Sequence, residues 1–436
     1  MANPTFFHFS EHSLQDKDDL IQMSEVIVEP DVMVPPEDQR AKYLGVYQEG
    51  RFFKADYYIG LRWVSWKGED NIMQLGVIQT RPKRSSGIPF MKLLLKCLSD
   101  ETVSQHLGEC YRLFPDEPMI PSPLDDKDYI TPLIMCEFLV RIKKIIKKGI
   151  KRNFQTHKKV LSNNIKGRIN VKESLRLNIS QTSIPRVSCR YQVNSLNCLE
   201  NRILKTTLLK IDSYCKSMYI AEPEIQNLLA YAMYGFQEID PIDVSNCNFA
   251  QLNESPFFKE YKPTLALAKI LLKTFTYPVY SQEGEQKRCT IPFYINMPEL
   301  FERYCEVLLR AQYANVKAGY QFDGYSETRC GHAVPIRPDF LLPDENMIVD
   351  SKYKYWGEFV RREGISKEDI AQLSLYARHE GVLRRLGEHP VPPRIQFVYP
   401  KDTGKLAIDF SNSANEKVKD IVDCFTYPLR ISSDDI

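Results

Sequence analysis

The chain has 436 residues, more than one hydrophobic core usually organises, so two or three domains are expected. Charged residues make up 26% and hydrophobic ones 43%, which excludes a disordered or membrane-embedded chain. A formal charge of +2 excludes a globally basic nucleic-acid binder, and eleven scattered cysteines without a C-x-x-C pair exclude a zinc ribbon or thioredoxin-type motif.

The first residues, MANPTFFHFSEHSLQDKDDL, lack a basic segment followed by an apolar core, and no later window approaches ~18 apolar residues. A cytoplasmic chain that spans no membrane is expected. His8 and His12 have no cysteine or carboxylate constellation around them and read as part of a mobile N-terminus. From about Ser24 to Thr80, SEVIVEP, KYLGVYQ, FFKADYYIGLRWVSW and IMQLGVIQT alternate with Gly, Pro, Asn and Asp, predicting short antiparallel strands. FMKLLLKCLSD follows with leucines at helical spacing. The Pro-rich FPDEPMIPSPLDDKDYITP reads as an exposed linker, closing an N-terminal β-rich domain over residues 1–127.

A helical middle region is expected over 128–285, where LIMCEFLVRIKKIIKKGIKRNF, LNCLENRILKTTLLKIDSYCKSMY and KPTLALAKILLKTF carry amphipathic spacing without a fixed repeat. In its basic stretch from Arg141 to Lys159, the cations Lys143, Lys144, Lys147, Lys148, Lys151 and Arg152 could follow a DNA backbone. The same residues also suit the solvated face of a packed helix or a surface that meets an acidic partner. From about Ile291 the order becomes helix, strand, strand, helix, strand. Residues 286–436 are therefore expected to form an α/β domain with a central mixed sheet, making the whole an α+β multidomain chain. The absence of G-x-x-x-x-G-K-[ST] excludes a P-loop nucleotide site within the chain.

Two apolar runs of this last domain, VPIRPDFLL and NMIVDSKYK, carry charges where strands keep aliphatic side chains. A buried carboxylate needs a counter-charge, hydrogen bonds or a metal ion. By period two, Arg337, Asp339 and Leu341 share one face of the first strand, and Ile348, Asp350 and Lys352 share one face of the second, with PDEN as a turn between the strands. Two carboxylates and one ammonium could then converge. Asp339, Asp350 and the carbonyl of Ser351 would offer hard oxygen ligands to Mg²⁺, with Mn²⁺ an acceptable substitute, and Lys352 would orient water or stabilise phosphate charge. A structural salt bridge is the competing account.

In the preceding helix, MPELFERYCEVLL, Glu302 stands beside the stripe of Leu300, Phe301, Tyr304 and Leu308 and could add a further oxygen, or it could simply be solvated. In KEDIAQLSLYARH, Asp369 suits the start of a helix, and Gln372 could bond water or phosphate or lie on the surface. A second copy of the spacing, Asp116 followed by Asp125 and Lys127, sits in the Pro-rich segment without flanking strands and is rejected.

The stretches LFERYCEVLL, IRPDFLL, IVDSKYK and DIAQLSLYA, with KKGIKRNF, KGRINVKESLRLNI, VSCRYQVNSLNCLENRILKTTL and YKPTLALAKILL upstream, resemble the McrC family. This is the nuclease subunit of modification-dependent, 5-methylcytosine-type restriction systems, within the PD-(D/E)xK superfamily. The resemblance implies that Asp339, Asp350 and Lys352 form the nuclease triad, with Glu302 and Gln372 in support. It implies a partner, an McrB-like AAA+ GTPase hexamer whose GTPase the chain stimulates, and double-stranded DNA carrying modified cytosine as substrate. It also implies that residues 1–127 dock on the GTPase. Two other functions stay open: a catalytically inert regulatory subunit of such a motor, and a stand-alone repair or recombination nuclease.

Overall fold

The computed structural model describes residues 5–10, 14–16, 44–49, 52–67, 73–81, 90–100, 102–114, 117–122, 130–162, 164–178, 186–217, 223–243, 258–276, 279–280, 286–319, 336–353, 367–405, 407–411, 416–418 and 423–429. The chain divides into two compact units, Met1–Ile130 with Lys287–Ile436, and Thr131–Gln286.

The first unit opens with a strand, β1 (Thr5–Ser10), where a mobile terminus was expected. Alternate burial explains it: Phe7 and Phe9 enter the core while His8 stays exposed. His12 and the run SEVIVEP lie outside the described residues. Strands β2 (Tyr58–Lys67) and β3 (Met73–Arg81) form an antiparallel hairpin, and β1 pairs with β3 in parallel. Val46–Glu49, Phe52–Ala55 and Leu14–Asp16 make a small second sheet. Phe7, Phe9, Leu44, Phe53, Val64 and Ile78 share one core. Helix α1 (Phe90–Ser99) and strand β4 (Tyr111–Leu113) follow. The segment expected as a linker contains a strand, Ile120–Ser122, paired with Gln286–Thr290. Ile120 is buried, and an edge position tolerates Pro121, which cannot donate to a further strand.

The second unit is not purely helical. Helix α2 (Ile130–Lys148) stops well before the expected Phe154, because Gly149 takes a left-handed φ of +104°. Beyond it, β5 (Asn153–Ser162), β6 (Arg168–Ile169), helix α3 (Val171–Asn178) and β7 (Arg186–Ser195) form a module whose sheet runs in the order β6-β7-β5. Its strands are largely exposed on both faces, so they lack the apolar alternation by which strands are recognised. Helices α4 (Leu199–Ser217), α5 (Pro223–Gly235) and α6 (Tyr261–Thr276) complete the unit. A buried polar network anchors the base of the module to them. Lys151 Nζ lies 2.7 Å from Glu200 Oε1, Asn201 Nδ2 donates to the carbonyl of Lys151 at 2.8 Å, and Tyr261 OH donates to Asn201 Oδ1 at 2.8 Å.

The chain then re-enters the first unit. Strand β8 (Phe293–Asn296) inserts between β2 and β4, giving the order β1-β3-β2-β8-β4, and runs directly into helix α7 (Met297–Gln312). The last sheet takes shape from β9 (Phe340–Leu342) and β10 (Met347–Ser351), an antiparallel pair. Helices α8 (Lys367–Tyr376) and α9 (Glu380–Leu386) lead to β11 (Arg394–Lys405) and β12 (Cys424–Leu429). The strands β10, β11 and β12 are mutually parallel, and the short strands Lys317–Ala318 and Glu416–Lys417 form the antiparallel edges. Leu341, Ile348, Ile395 and Phe397 from the sheet pack with Leu373, Tyr376, Val382 and Leu386 from α8 and α9. The molecule is thus α+β with a mixed C-terminal sheet. No helix among the described residues is long and apolar enough to cross a membrane.

Insertion of β8 makes Gly60 obligatory. A Cβ there would fall 2.2 Å from the carbonyl oxygen of Phe293 and 2.9 Å from the Cα of Tyr294. Gly60→Ala is expected to cost about 1–3 kcal/mol in chemical denaturation. Gly108→Ala, where a Cβ meets nothing within 4 Å, is expected to unfold as the wild type does.

Candidate active site

The short hairpin expected around PDEN does form. Pro343–Glu345 make a single 3₁₀ turn, and Asn346 turns the chain with a left-handed φ of 47°, a conformation asparagine tolerates better than other non-glycine residues. The register pairs Phe340 with Val349 and Leu341 with Ile348, so its continuation sets Asp339 opposite Asp350. Arg337 does not share in this: it precedes the strand and is exposed.

Asp339 is held from one side. Its Oδ2 accepts hydrogen bonds from the backbone N–H and the hydroxyl of Ser351, both 2.8 Å. Asp350 is buried, with Oδ2 2.8 Å from Lys352 Nζ. The ammonium is its charged partner, and Oδ2 meets no other hydrogen-bond donor among the described residues. Lys352 lies just past the end of β10, its N–H donating to the carbonyl of Val398 at 2.8 Å and its Nζ 3.7 Å from Asp369 Oδ1. Glu302, on α7, is mostly buried and feels the charge of Asp339; its neighbour Arg303 stands 3.9 Å away. Arg303 is largely engaged elsewhere, donating to Glu299 at 2.7 Å and Glu306 at 3.1 Å.

These surroundings shift the acids upward. Burial, then the charge of Asp339, pushes Asp350 up to about 7 against the pull of Lys352. Burial, again followed by Asp339, pushes Glu302 up to about 8. Burial also raises Asp339, and the two hydrogen bonds from Ser351 oppose the rise. For Lys352, burial works to lower the pKa, but Asp350, Asp339 and Asp369 together outweigh it and the net shift is upward, so the side chain stays an ammonium at neutral pH.

The structure brings Asp339, Asp350, Ser351 and Lys352 together, with Glu302 in electrostatic reach. Gln372 is exposed, and its Nε2 donates to Tyr376 OH at 2.7 Å rather than to any of these groups. Two neighbours were not anticipated from sequence as parts of the site. Asp369 contacts Lys352, and the buried Tyr376, whose pKa is raised by burial, lies within the fields of Asp350, Asp339 and Lys352. The spacing of Asp369, Gln372 and Tyr376 along one helix was the available signal. The rejected copy, Asp116, Asp125 and Lys127, lies outside the described residues.

The basic stretch is divided. Lys148 pairs with Glu260 at 2.7 Å, and Lys151 is taken up by Glu200. Lys143 and Lys144 are half-buried; Lys147 and Arg152 are exposed.

Among the described residues no three Asp, Glu, His or Cys side chains close into a metal cage. The donors at the hairpin nevertheless suit a hard cation: they are oxygens only, their mutual repulsion is offset by a single lysine, and Asp350 Oδ2 has an unused lone pair. A divalent ion that retains several of its own waters fits such a partial shell.

No curated protein matches the chain. Among solved structures, a half-complex from a tetradecameric assembly of Thermococcus gammatolerans McrB AAA+ hexamers with bound McrC is 15% identical, over 99% of this chain and 95% of that one, with a TM-score of 0.39. The cryo-EM structure of the Thermococcus gammatolerans McrBC complex is also 15% identical, over 70% and 87% of the two chains, with a TM-score of 0.34. Residues 77–383, most of the chain and all of the hairpin, match a family profile. The chain belongs to the family described as McrBC 5-methylcytosine restriction system component.

Proposed function

We propose that the chain is the McrC-type, metal-dependent DNA endonuclease subunit of a modification-dependent restriction system, with a PD-(D/E)xK nuclease domain. Its partner would be an McrB-like AAA+ GTPase, and its substrate double-stranded DNA carrying modified cytosine. Family membership supports the system. The observation that carries the enzymatic reading is the register of β9 and β10, which opposes two mostly buried acids beside one lysine.

Asp339 and Asp350, the carbonyl of Ser351 and Glu302 would hold Mg²⁺ or Mn²⁺. Once bound, the ion supplies polarisation of the phosphodiester and a lowered pKa for its water. Ser351 fixes the carboxylate of Asp339 through two hydrogen bonds, which leaves its other oxygen for the cation. Lys352 remains protonated, so its task is to donate to a phosphate oxygen and stabilise developing negative charge, not to remove a proton. Asp369 keeps a carboxylate near that ammonium when Asp350 is engaged elsewhere.

Lys352→Ala and Asp350→Asn are each expected to lower cutting of methylated plasmid at least about 100-fold, with GTPase stimulation unchanged. Wild-type rates in both variants would dismiss the site. Faster GTP turnover by the wild-type chain without any cutting would favour the inert regulatory subunit instead.

A second expectation concerns pH. With Asp350 and Glu302 raised to about 7 and about 8, the folded protein holds more protons than the unfolded chain from about pH 4 up to those values. The stability this provides is full at the acidic end of that window and is lost as pH rises through it. In chelator at pH 8, Asp350→Asn should therefore melt above the wild type, with the difference vanishing near pH 4. Mg²⁺ should raise the wild-type melting temperature and not that of the variant.

A further inference from the structure

Lys352 lies past the end of β10, its N–H donating to the carbonyl of Val398, and its side chain keeps 24% of its surface. A lysine ammonium rides on a flexible aliphatic stem. Where the nitrogen comes to rest therefore depends on how firmly the backbone beneath it is set.

The next residue does the setting. Tyr353 is buried, and its ring meets Phe301 with centroids 5.8 Å apart and planes tilted by 54°. It also meets Tyr57 edge-on, at 5.8 Å and 81°. Both separations lie in the range where aromatic pairs attract. Lys352 reaches toward Asp369 on α8, whereas Tyr353 turns to Phe301 on α7. Consecutive side chains are thus held by two different helices, and the backbone between them cannot shift without breaking one of the contacts.

The two rings around Tyr353 are themselves tied together. The carbonyl of Tyr57 accepts from the N–H of Met297, where α7 begins, at 3.2 Å, and the adjacent Tyr58 pairs with Asn296 of β8. Phe301, one turn further along α7, is fully buried and precedes Glu302. The contacts close on themselves: from Tyr57 to Met297, along a turn of α7 to Phe301, across to Tyr353 and back to Tyr57. Supporting side chains locked by packing are what hold a reactive group in its productive place.

We infer that Tyr353 is a positioning residue for Lys352 and that Tyr57, from the N-terminal sheet, is its backstop. Both act through the ammonium, so the chemistry at the hairpin draws on a residue of the other sheet. The inference rests on the functional reading above, in which Lys352 stabilises phosphate charge. A purely structural aromatic cluster would lower the melting temperature and leave the rate of the folded protein alone. A displaced ammonium slows the chemical step and spares binding.

The test follows cutting of methylated plasmid by the full-length chain with the purified AAA+ GTPase, GTP and Mg²⁺, below the melting temperature of every variant. Tyr353→Leu is expected to lower kcat at least about 30-fold, with the KM for DNA and the half-saturating Mg²⁺ concentration within about threefold of wild type. Tyr57→Leu removes one ring contact and should lower kcat about fivefold. The double variant should cut no more slowly than Tyr353→Leu alone, because the backstop then has nothing to hold. Tyr353→Phe keeps the ring and should recover kcat to within about threefold of wild type. Stimulation of the GTPase should be the same throughout.

A kcat for Tyr353→Leu within about threefold of wild type, with Lys352→Ala inactive, overturns the inference and leaves the functional reading standing. Tyr353→Phe as slow as Tyr353→Leu overturns it too, as do additive losses in the double variant. Should Tyr353→Leu fail to fold, Tyr57→Leu decides by the same measure, and a wild-type kcat there overturns the inference. Wild-type cutting by Lys352→Ala overturns inference and reading together.

Discussion

Repulsion between Asp339 and Asp350 is the constraint around which the C-terminal sheet is organised. The two acids face each other at the end of an antiparallel pair with one lysine for compensation. Burial raises the pKa of both, that of Asp350 to about 7, and Glu302 adds to the load. Apolar replacements would make a more stable sheet. Retention of the acids therefore speaks for a function that uses their oxygens, and it explains why Ser351, placed next to Asp350 in sequence, is spent on holding Asp339 still.

Much of this could be read from the chain because acids in apolar strands are conspicuous. The intervals between Asp339, Asp350 and Lys352, the turn at Pro343 and Asn346, and the leucine spacing of α1, α4, α6 and α7 all have local causes, and the fold follows them. The roles of Asp369 and Tyr376 were less visible. A carboxylate at a helix start and a tyrosine on its apolar stripe each have an ordinary explanation, and only the packing of α8 against β10 brings them to Lys352.

Elsewhere the signal was weak for physical reasons. The strand β5 is almost wholly exposed and β7 buries only the adjacent Ser188 and Cys189, so period two is not written into their side chains. The break at Gly149 is one residue inside a run of lysines and isoleucines that otherwise continues a helix. Phe7 and Phe9 did alternate with polar neighbours, but six residues at a terminus are easily taken for a tail until a partner strand is known. Pairing partners far away in the chain leave no local mark at all.

Strand β8 has such a partner. It fills the interior of the N-terminal sheet although it lies more than 200 residues beyond the hairpin it joins, and it is the strand partner of β4 among the described residues. On the ribosome the first sheet must therefore wait, incomplete, until residue 296 has emerged, by which time the intervening unit is already outside. The same strand leads into the helix of Glu302, so completion of the first sheet and delivery of that carboxylate belong to one event in the maturation of the chain.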